Sequence, residues 1–578
     1  VSGDLFDLIK NAWKAMQSHK NLPLLCALIV NAAVLSLGVD IWFRNEAGTH
    51  LLWFQNHPEF WDALKYPGMI QHYRPVSFFM LSVIYHLFGT TALPYVLANF
   101  VGFLFTLVVY YIFVRHLTSN TVAYFSAIAL FPLFFQVLYY PFNALHGIFY
   151  SWDVGWFCLS MYLFLKAFEV TDNRNRYLIL AAITSVIALG THAFSGLTLA
   201  AVIITYLVFN FPAAVRNRTA LIVGLGISIG CLGLIPVLEP GGGKLLQPGA
   251  TLLGYVSERS GLLAQILMTP RVALVLFGGT VQAVAHHLSR GRSTTPLWAV
   301  VSAGIAVLVL KVLPQDFGQT ALLVCLVALL SFIVIRIPSY RIFAVMALMG
   351  IVHYFLVRSE SSNYLRFLVF GSTPIAVIGM VSAFEGLFAW IKVPSPHNRL
   401  LPRFGAYVTA LVLIAIGLGS MNVSVARSPV RKIRYLSEIS RTFREVLFLG
   451  TQEIPRSSQV YFFRGGASED ASKYSRTQAH DKSALYTREH LSSLRPAKYY
   501  EYPSYFEIAG RDDLHFHHVE DGVSAAPEEP AYIIALNFDE VRQAKTLYPA
   551  AESIFRSHIG EAEAAIFKVS SPASRSGN

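Results

Sequence analysis

The chain predicts a polytopic α-helical membrane protein of about thirteen spans followed by an extracytoplasmic α/β domain, on three observations. Of its 578 residues 54% are hydrophobic and only 14% charged, with a mean hydropathy of +0.50, too apolar for a soluble domain. Apolar runs of about twenty residues recur along most of the chain, the length a bilayer demands. Past residue 422 the charged residues, Pro, Ser and His return. The formal charge of +11 does not point to nucleic acid as a partner, because the basic residues sit mostly in short connections between apolar runs, as orientation signals do. All four cysteines (Cys26, Cys158, Cys231, Cys325) fall inside apolar runs, which supports neither a disulfide framework nor a thiolate metal site.

From the N-terminus, Leu5, Phe6, Leu8, Ile9, Trp13 and Met16 alternate at helical spacing with Asp4, Asp7, Lys10 and Lys14. Residues 1–22 therefore read as an amphipathic segment on the membrane surface. The run at 24–39 follows Lys10, Lys14 and Lys20 and lacks a small-residue cleavage pattern, so it reads as a retained span entered from the cytoplasm. It opens a transmembrane domain over 23–422. Further spans are expected near 93–115, 121–138, 148–168, 177–191, 194–212, 219–237, 268–288, 294–312, 318–336, 341–357, 367–391 and 404–421. Counted from a cytoplasmic start, they put Arg115, Arg174, Arg176, Arg216, Arg218, Arg290, Arg292, Arg336, Arg341, Lys392, Arg399 and Arg403 on the cytoplasmic side, the expected bias. The same count leaves the loop 40–92, with its juxtamembrane helices, on the exterior face with the loops 139–147, 238–267 and 358–366 and residues 423–578. In that last stretch β-like runs at 459–463, 531–536 and 564–569 are separated by helical patterns such as 430–449, giving the α/β domain. The expected location is a bacterial inner membrane, N-terminus cytoplasmic and C-terminal domain periplasmic.

The most informative pattern lies in the exterior loop, where Asp40 is followed by a polar and aromatic stretch and then by His72, Tyr73, Arg74 and Pro75. Asp40 closes the first span at its exterior end. A carboxylate there stays ionised while Trp42, Phe43 and the span limit solvent on one side, a setting for a general base; an acid that merely ends a helix fits equally. Trp42, Trp53 and Trp61 suit an interfacial aromatic belt. Pro75 fixes the backbone at the start of a helix over 75–88, so Arg74 is held at a helix N-terminus, a setting that favours phosphate. An arginine in that position also snorkels to headgroups.

Three segments carry a resemblance: His72-Tyr73-Arg74-Pro75-Val76 with Leu87-Phe88-Gly89 and the span containing Asn99; Ser362-Asn363-Tyr364-Leu365-Arg366-Phe367 entering a late span; and, in hydropathy, Arg176-Tyr177 to Thr191-His192. Together they resemble the GT-C fold polyprenyl-phosphate-sugar-dependent glycosyltransferases, nearest the protein O-mannosyltransferases. The resemblance implies an inverting membrane transferase that takes a sugar from a polyprenyl-phosphate donor on the extracytoplasmic face and passes it to an acceptor protein, lipid or glycan, alone or within a membrane complex. It implies Asp40 as base on the acceptor hydroxyl and cations facing the leaving phosphate. Arg74 and Arg366 are the candidates for those cations, and Lys244, after Gly241-Gly242-Gly243, is a third. His72, Tyr73 and His192 complete the candidate substrate-binding set. A divalent metal is compatible with such chemistry, without a motif in its support.

The departures are specific. Asp40 is followed by Ile41, where many relatives carry adjacent acids, and Tyr140-Pro141-Phe142-Asn143-Ala144-Leu145-His146 lacks the acid expected after the third span. Asp153, near the exterior end of the fourth span, is the substitute; an ionisable residue at mid-span costs about 2.5–3.5 kcal/mol. Thr191-His192 stands where relatives have a Lys-Glu pair. The losses suit an alternative, a non-catalytic accessory subunit of a membrane complex on a GT-C scaffold. A transporter is less suited, because few spans carry charged residues. His286-His287 suits a helix C-terminus, and His515 with His517 falls on one face of a strand as a metal pair lacking a spaced third ligand.

Overall fold

The computed structural model describes residues 22–43, 47–62, 74–138, 140–145, 147–170, 172–238, 274–289, 297–312, 315–356, 365–390, 429–463, 502–519 and 530–570. Hydropathy places the helices. Helix α1 (Leu22–Leu35) runs into a 3-10 turn at Ser36–Gly38, and α2 (Ala47–Asn56) follows in the expected exterior loop. Then come α3 (Pro75–Phe88), α4 (Ala92–Leu117), α5 (Asn120–Leu138), α6 (Ile148–Ser151), α7 (Asp153–Glu169), α8 (Arg174–Thr191), α9 (Ala193–Phe209), α10 (Phe211–Arg216) and α11 (Arg218–Leu238). A π turn at Leu274–Gly278 leads into α12 (Gly279–Leu288), followed by α13 (Leu297–Val312), α14 (Gln315–Arg336), α15 (Arg341–Leu356) and α16 (Arg366–Trp390).

Among the described residues, Ala92–Leu117, Ile148–Glu169, Arg218–Ile235 and Arg366–Ala383 are each long and apolar enough to cross a bilayer. They make the chain a membrane protein. Thr320–Arg336 and Pro338–Phe355 pass the same test only as a pair, bent by 116°. The bend has a cause: Pro338 donates no backbone hydrogen bond, and Arg341 Nε turns back to the Val334 carbonyl at 2.6 Å. The expected amphipathic segment over 1–22, except Leu22, the span at 404–421 and the expected loop 238–267 past Leu238 lie outside the described residues. The expected span at 148–168 is matched by Ile148–Glu169, in which α6 and α7 meet at Trp152 with helical backbone, and Thr106 Oγ1 donates to the Ser151 carbonyl, 2.7 Å away. That bond matters because an unsatisfied carbonyl in hydrocarbon costs several kcal/mol.

Helices α15 and α16 cross closely because Gly350 and Gly371 leave no room for a Cβ against the facing backbone of Leu368 and of Phe343 and Ala347, the small-residue contact by which membrane helices associate. Tyr110 on α4 donates to the Phe370 carbonyl at 2.9 Å, fixing the first turn of α16 against the centre of the bundle.

After the membrane helices come α17 (Pro429–Phe448), β1 (Gln459–Phe462), α18 (Tyr502–Ile508), β2 (His515–His518), β3 (Ala531–Ala535), α19 (Phe538–Leu547), β4 (Glu552–Ile559) and β5 (Ala562–Val569). The sheet is five-stranded in the order β2-β1-β3-β5-β4. Strand β1 is parallel to β2 and β3, and β5 is antiparallel to β3 and β4. Central β3 (AYIIA) is buried at every position, as a strand covered on both faces must be. Asn537 caps α19 by accepting from Glu540 N at 2.9 Å, and Glu540 reaches back to Leu536 N, also at 2.9 Å, a reciprocal cap. This unit seats on the end of the membrane domain: Trp42 N donates to Ser440 Oγ on α17 at 2.9 Å, and a Cβ on Gly48 would strike the Tyr505 ring of α18. His515 and His517 are both exposed on β2, and His517 Nε2 pairs with Gln459 Oε1. Among the described residues no three His, Cys, Asp or Glu side chains are grouped to hold a metal.

Candidate functional site

The site is assembled from helix ends. Arg74 is the N-cap of α3, with Pro75 at the first helical position, where a fixed φ is pre-organised for helix. Ser77 Oγ donates to the Thr191 carbonyl at 3.1 Å and so joins α3 to the last turn of α8. The next residue, His192, ends α8 by donating its backbone N–H to Ala188 O at 3.0 Å, and it caps α9 by accepting from Phe194 N on Nδ1 at 3.3 Å. Asp153 opens α7 and Arg366 opens α16.

Four of the sequence-predicted residues meet here. Arg366 and Asp153 are both fully buried and form an ion pair in which Nε donates to Oδ2 at 2.6 Å and Nη2 contacts the same oxygen. Ser195 Oγ donates to Oδ2 at 3.2 Å and Val154 N to Oδ1 at 2.6 Å. The Arg366 guanidinium also lies over the Tyr150 ring, 5.0 Å from its centroid. Arg74, also buried, has its guanidinium 5.5 Å from the same centroid and 4.8 Å from that of Phe149. The His192 ring packs 5.6 Å from Tyr150. One half-buried tyrosine therefore gathers two guanidiniums and an imidazole, and each cation–π contact contributes about 0.5–2 kcal/mol depending on desolvation. Tyr140, whose hydroxyl is buried, packs its ring 5.8 Å from Tyr150. A second buried link runs from Thr198 Oγ1 on α9 to His353 Nε2 on α15 at 3.1 Å.

Asn99 holds the platform in register. Its Nδ2 donates to the carbonyls of Asn143 at 2.8 Å, Ala144 at 2.9 Å and Pro141 at 3.4 Å, which clamps the 140–145 turn onto α4 and aims α6 at the arginines.

Asp40 is exposed just past the 3-10 turn that closes α1, whereas Arg74, Asp153, His192 and Arg366 are buried. His72, Tyr73 and Lys244 lie outside the described residues. Both oxygens of Asp153 accept bonds, Oδ2 from Arg366 and Ser195 and Oδ1 from Val154 N. The residues that sequence reasoning missed are Tyr150, Ser195 and Phe149, which carry no local signal in an apolar run.

No protein-family model matches the chain, and no curated protein does. Among solved structures, it is similar to ArnT from Cupriavidus metallidurans bound to undecaprenyl phosphate, with 13% identity and a TM-score of 0.41 over 95% of this chain and 97% of that one. It is also similar to the Archaeoglobus fulgidus oligosaccharyltransferase in the apo form (13% identity, TM-score 0.43, 89% of this chain and 69% of that one). A third is the archaeal oligosaccharyltransferase AglB from Archaeoglobus fulgidus in complex with an inhibitory peptide and a dolichol-phosphate (12% identity, TM-score 0.42, 86% and 64%).

Proposed function

We infer that the chain is a membrane glycosyltransferase that takes a sugar from a polyprenyl-phosphate donor, with about thirteen spans and its α/β domain on the extracytoplasmic side. One observation carries the reading: Arg74, Arg366 and His192 converge on Tyr150 at the positive ends of helices, an arrangement suited to a phosphate. The guanidiniums of Arg74 and Arg366 bind the donor phosphate and stabilise the charge that develops on it as the bond to the anomeric carbon breaks. Asp153 is a positioning residue: it neutralises Arg366 and fixes the direction of its fork. Asp40, exposed beyond α1, accepts the proton of the acceptor hydroxyl as its oxygen attacks the sugar. The sequence resemblance to GT-C enzymes supports the same assignment.

The test is binding of polyprenyl phosphate to the purified chain in detergent, compared with Arg74→Gln. A charge-assisted contact contributes about 1.5–3 kcal/mol, so the variant binds roughly tenfold or more weakly, and sugar transfer stops in Asp40→Asn while binding persists. Equal binding by wild type and Arg74→Gln removes the phosphate site. A second reading, a non-catalytic subunit on the same scaffold, is favoured by the full engagement of Asp153; it predicts binding without transfer by the wild-type chain.

A further inference from the structure

Helix α17 keeps one stripe that neither the sheet nor the membrane helices cover. Over residues 433–449 the exposed side chains are Arg434, Arg441, Arg444, Phe448 and Leu449. Their spacing of seven, three and four residues puts the three arginines and Phe448 along one side of the helix. The other faces are committed: Glu438 accepts from Glu561 N at 2.8 Å, Glu445 accepts from Ser557 Oγ at 2.6 Å, and Ile433, Ile439 and Val446 are buried.

Trp42 ties this helix to the end of α1. That residue lies just past the 3-10 end of α1, where a membrane helix leaves hydrocarbon and tryptophan is favoured. It holds α17 through Ser440 Oγ and through the rings of Phe443 and Phe448, each 5.9 Å away. Arg441 follows Ser440 in the chain and Phe448 is one turn beyond Arg444, so the stripe borders the face that meets Trp42.

We propose that α17 lies along the bilayer surface and binds anionic phospholipid headgroups through Arg434, Arg441 and Arg444, with Phe448 and Leu449 entering the headgroup layer. The stripe fits this partner by charge and by continuity with the Trp42 contact. Its polar members are all cations, and Phe448 and Leu449 give it an exposed apolar end, the make-up of an interfacial helix. Arg434 shares its charge with Glu438, at 3.0 Å, so Arg441 and Arg444 carry most of the attraction. The inference is independent of the chemistry at Tyr150.

The experiment titrates the purified full chain, in zwitterionic detergent at low salt, with phosphatidylglycerol or phosphatidylcholine and counts retained lipids by native mass spectrometry. Phosphatidylglycerol is retained in preference. A basic residue near an anionic surface contributes about fivefold in affinity, so Arg441→Gln/Arg444→Gln binds roughly 30-fold more weakly. Arg441→Lys/Arg444→Lys keeps most of the binding and shows that the loss is one of charge and not of folding. Arg542→Gln, at an exposed arginine on α19 (74% exposed), leaves retention unchanged. Equal retention by wild type and the double glutamine variant overturns the proposal, as does an equal loss in Arg542→Gln. Displacement of the lipid by millimolar inorganic phosphate also overturns it, by showing a free-phosphate site in place of a headgroup surface.

Discussion

Replacing Asp153 by Asn removes one charge and almost no volume. In the native protein both carboxylate oxygens are engaged, Oδ2 by Arg366 and Ser195 and Oδ1 by Val154 N, and neither Asp153 nor Arg366 is exposed. The amide keeps one acceptor and leaves the guanidinium buried without its counter-charge. Breaking a buried pair from one side costs about 3–5 kcal/mol, whereas removing both charges together is often close to neutral. Asp153→Asn therefore destabilises by roughly 3–5 kcal/mol, and the double variant Asp153→Asn/Arg366→Met recovers most of that. Ser195→Ala, which removes a single hydrogen bond, costs only about 1 kcal/mol. The assay is reversible denaturation of the purified chain in mixed micelles across the double-mutant cycle, whose coupling energy isolates the pair. A loss below about 1 kcal/mol in Asp153→Asn, or strict additivity in the double variant, refutes the positioning role. Loss of sugar transfer without loss of stability would instead return Asp153 to the chemistry.

Tyr150→Phe keeps the ring and retains polyprenyl-phosphate binding, whereas Tyr150→Leu removes two cation–π contacts and weakens it by about 1–4 kcal/mol in a lipid-binding titration. Asn99→Ala releases the 140–145 turn and, counting roughly 0.5–1.5 kcal/mol for each good hydrogen bond, lowers stability by about 1–3 kcal/mol in the same denaturation assay. In the C-terminal unit, the Arg511 guanidinium beside Asp513 holds its carboxyl down to about 2, helped by the Ser457 N–H. A lowered folded-state value contributes stability that is fully present above the unfolded value and is lost as pH falls through the folded one. The stability difference between wild type and Asp513→Asn is accordingly constant from neutral pH to about 5, shrinks below about 4 and vanishes under about 2; a difference that persists at pH 1.5 contradicts the ion pair with Arg511.

The helices were legible because the signal for them is local. Runs expected at 93–115, 121–138 and 367–391 coincide with α4, α5 and α16, since hydrocarbon selects length and apolarity directly. Pro75 likewise announced the start of α3 and the placing of Arg74. Tyr150 was not legible: it is one of 28 tyrosines in a run that reads as uninterrupted span, and its role exists only when α3, α8 and α16 bring Arg74, His192 and Arg366 to it. The link from Thr106 to the Ser151 carbonyl was hidden for the same reason, because it comes from another helix. The two arginines meet at Tyr150, and Asp40 is exposed just past the 3-10 turn that ends α1.

Why the two arginines stand where they do is answered by helix electrostatics. Arg74 is the N-cap of α3 and Arg366 the first residue of α16. A cation at a helix N-terminus opposes the dipole, by about 0.3–1 kcal/mol at a surface and more when buried, so neither is placed for the benefit of its own helix. His192 caps α9, and only Asp153, at the start of α7, has the sign a helix N-terminus prefers. Residues at the N-terminal ends of α3, α9 and α16 thus gather at Tyr150, and Asp153, at the start of α7, pairs with Arg366. Each helix end lowers the energy of an anion and raises that of a cation. The proposed donor phosphate is an anion placed where such helix ends favour one. If the reasoning holds, a phosphate-bearing lipid raises the stability of the purified chain in proportion to its occupancy, and the same lipid with a neutral alcohol headgroup leaves it unchanged. Equal stabilisation by both lipids would mean that the tail alone is recognised and that the arginines serve the fold.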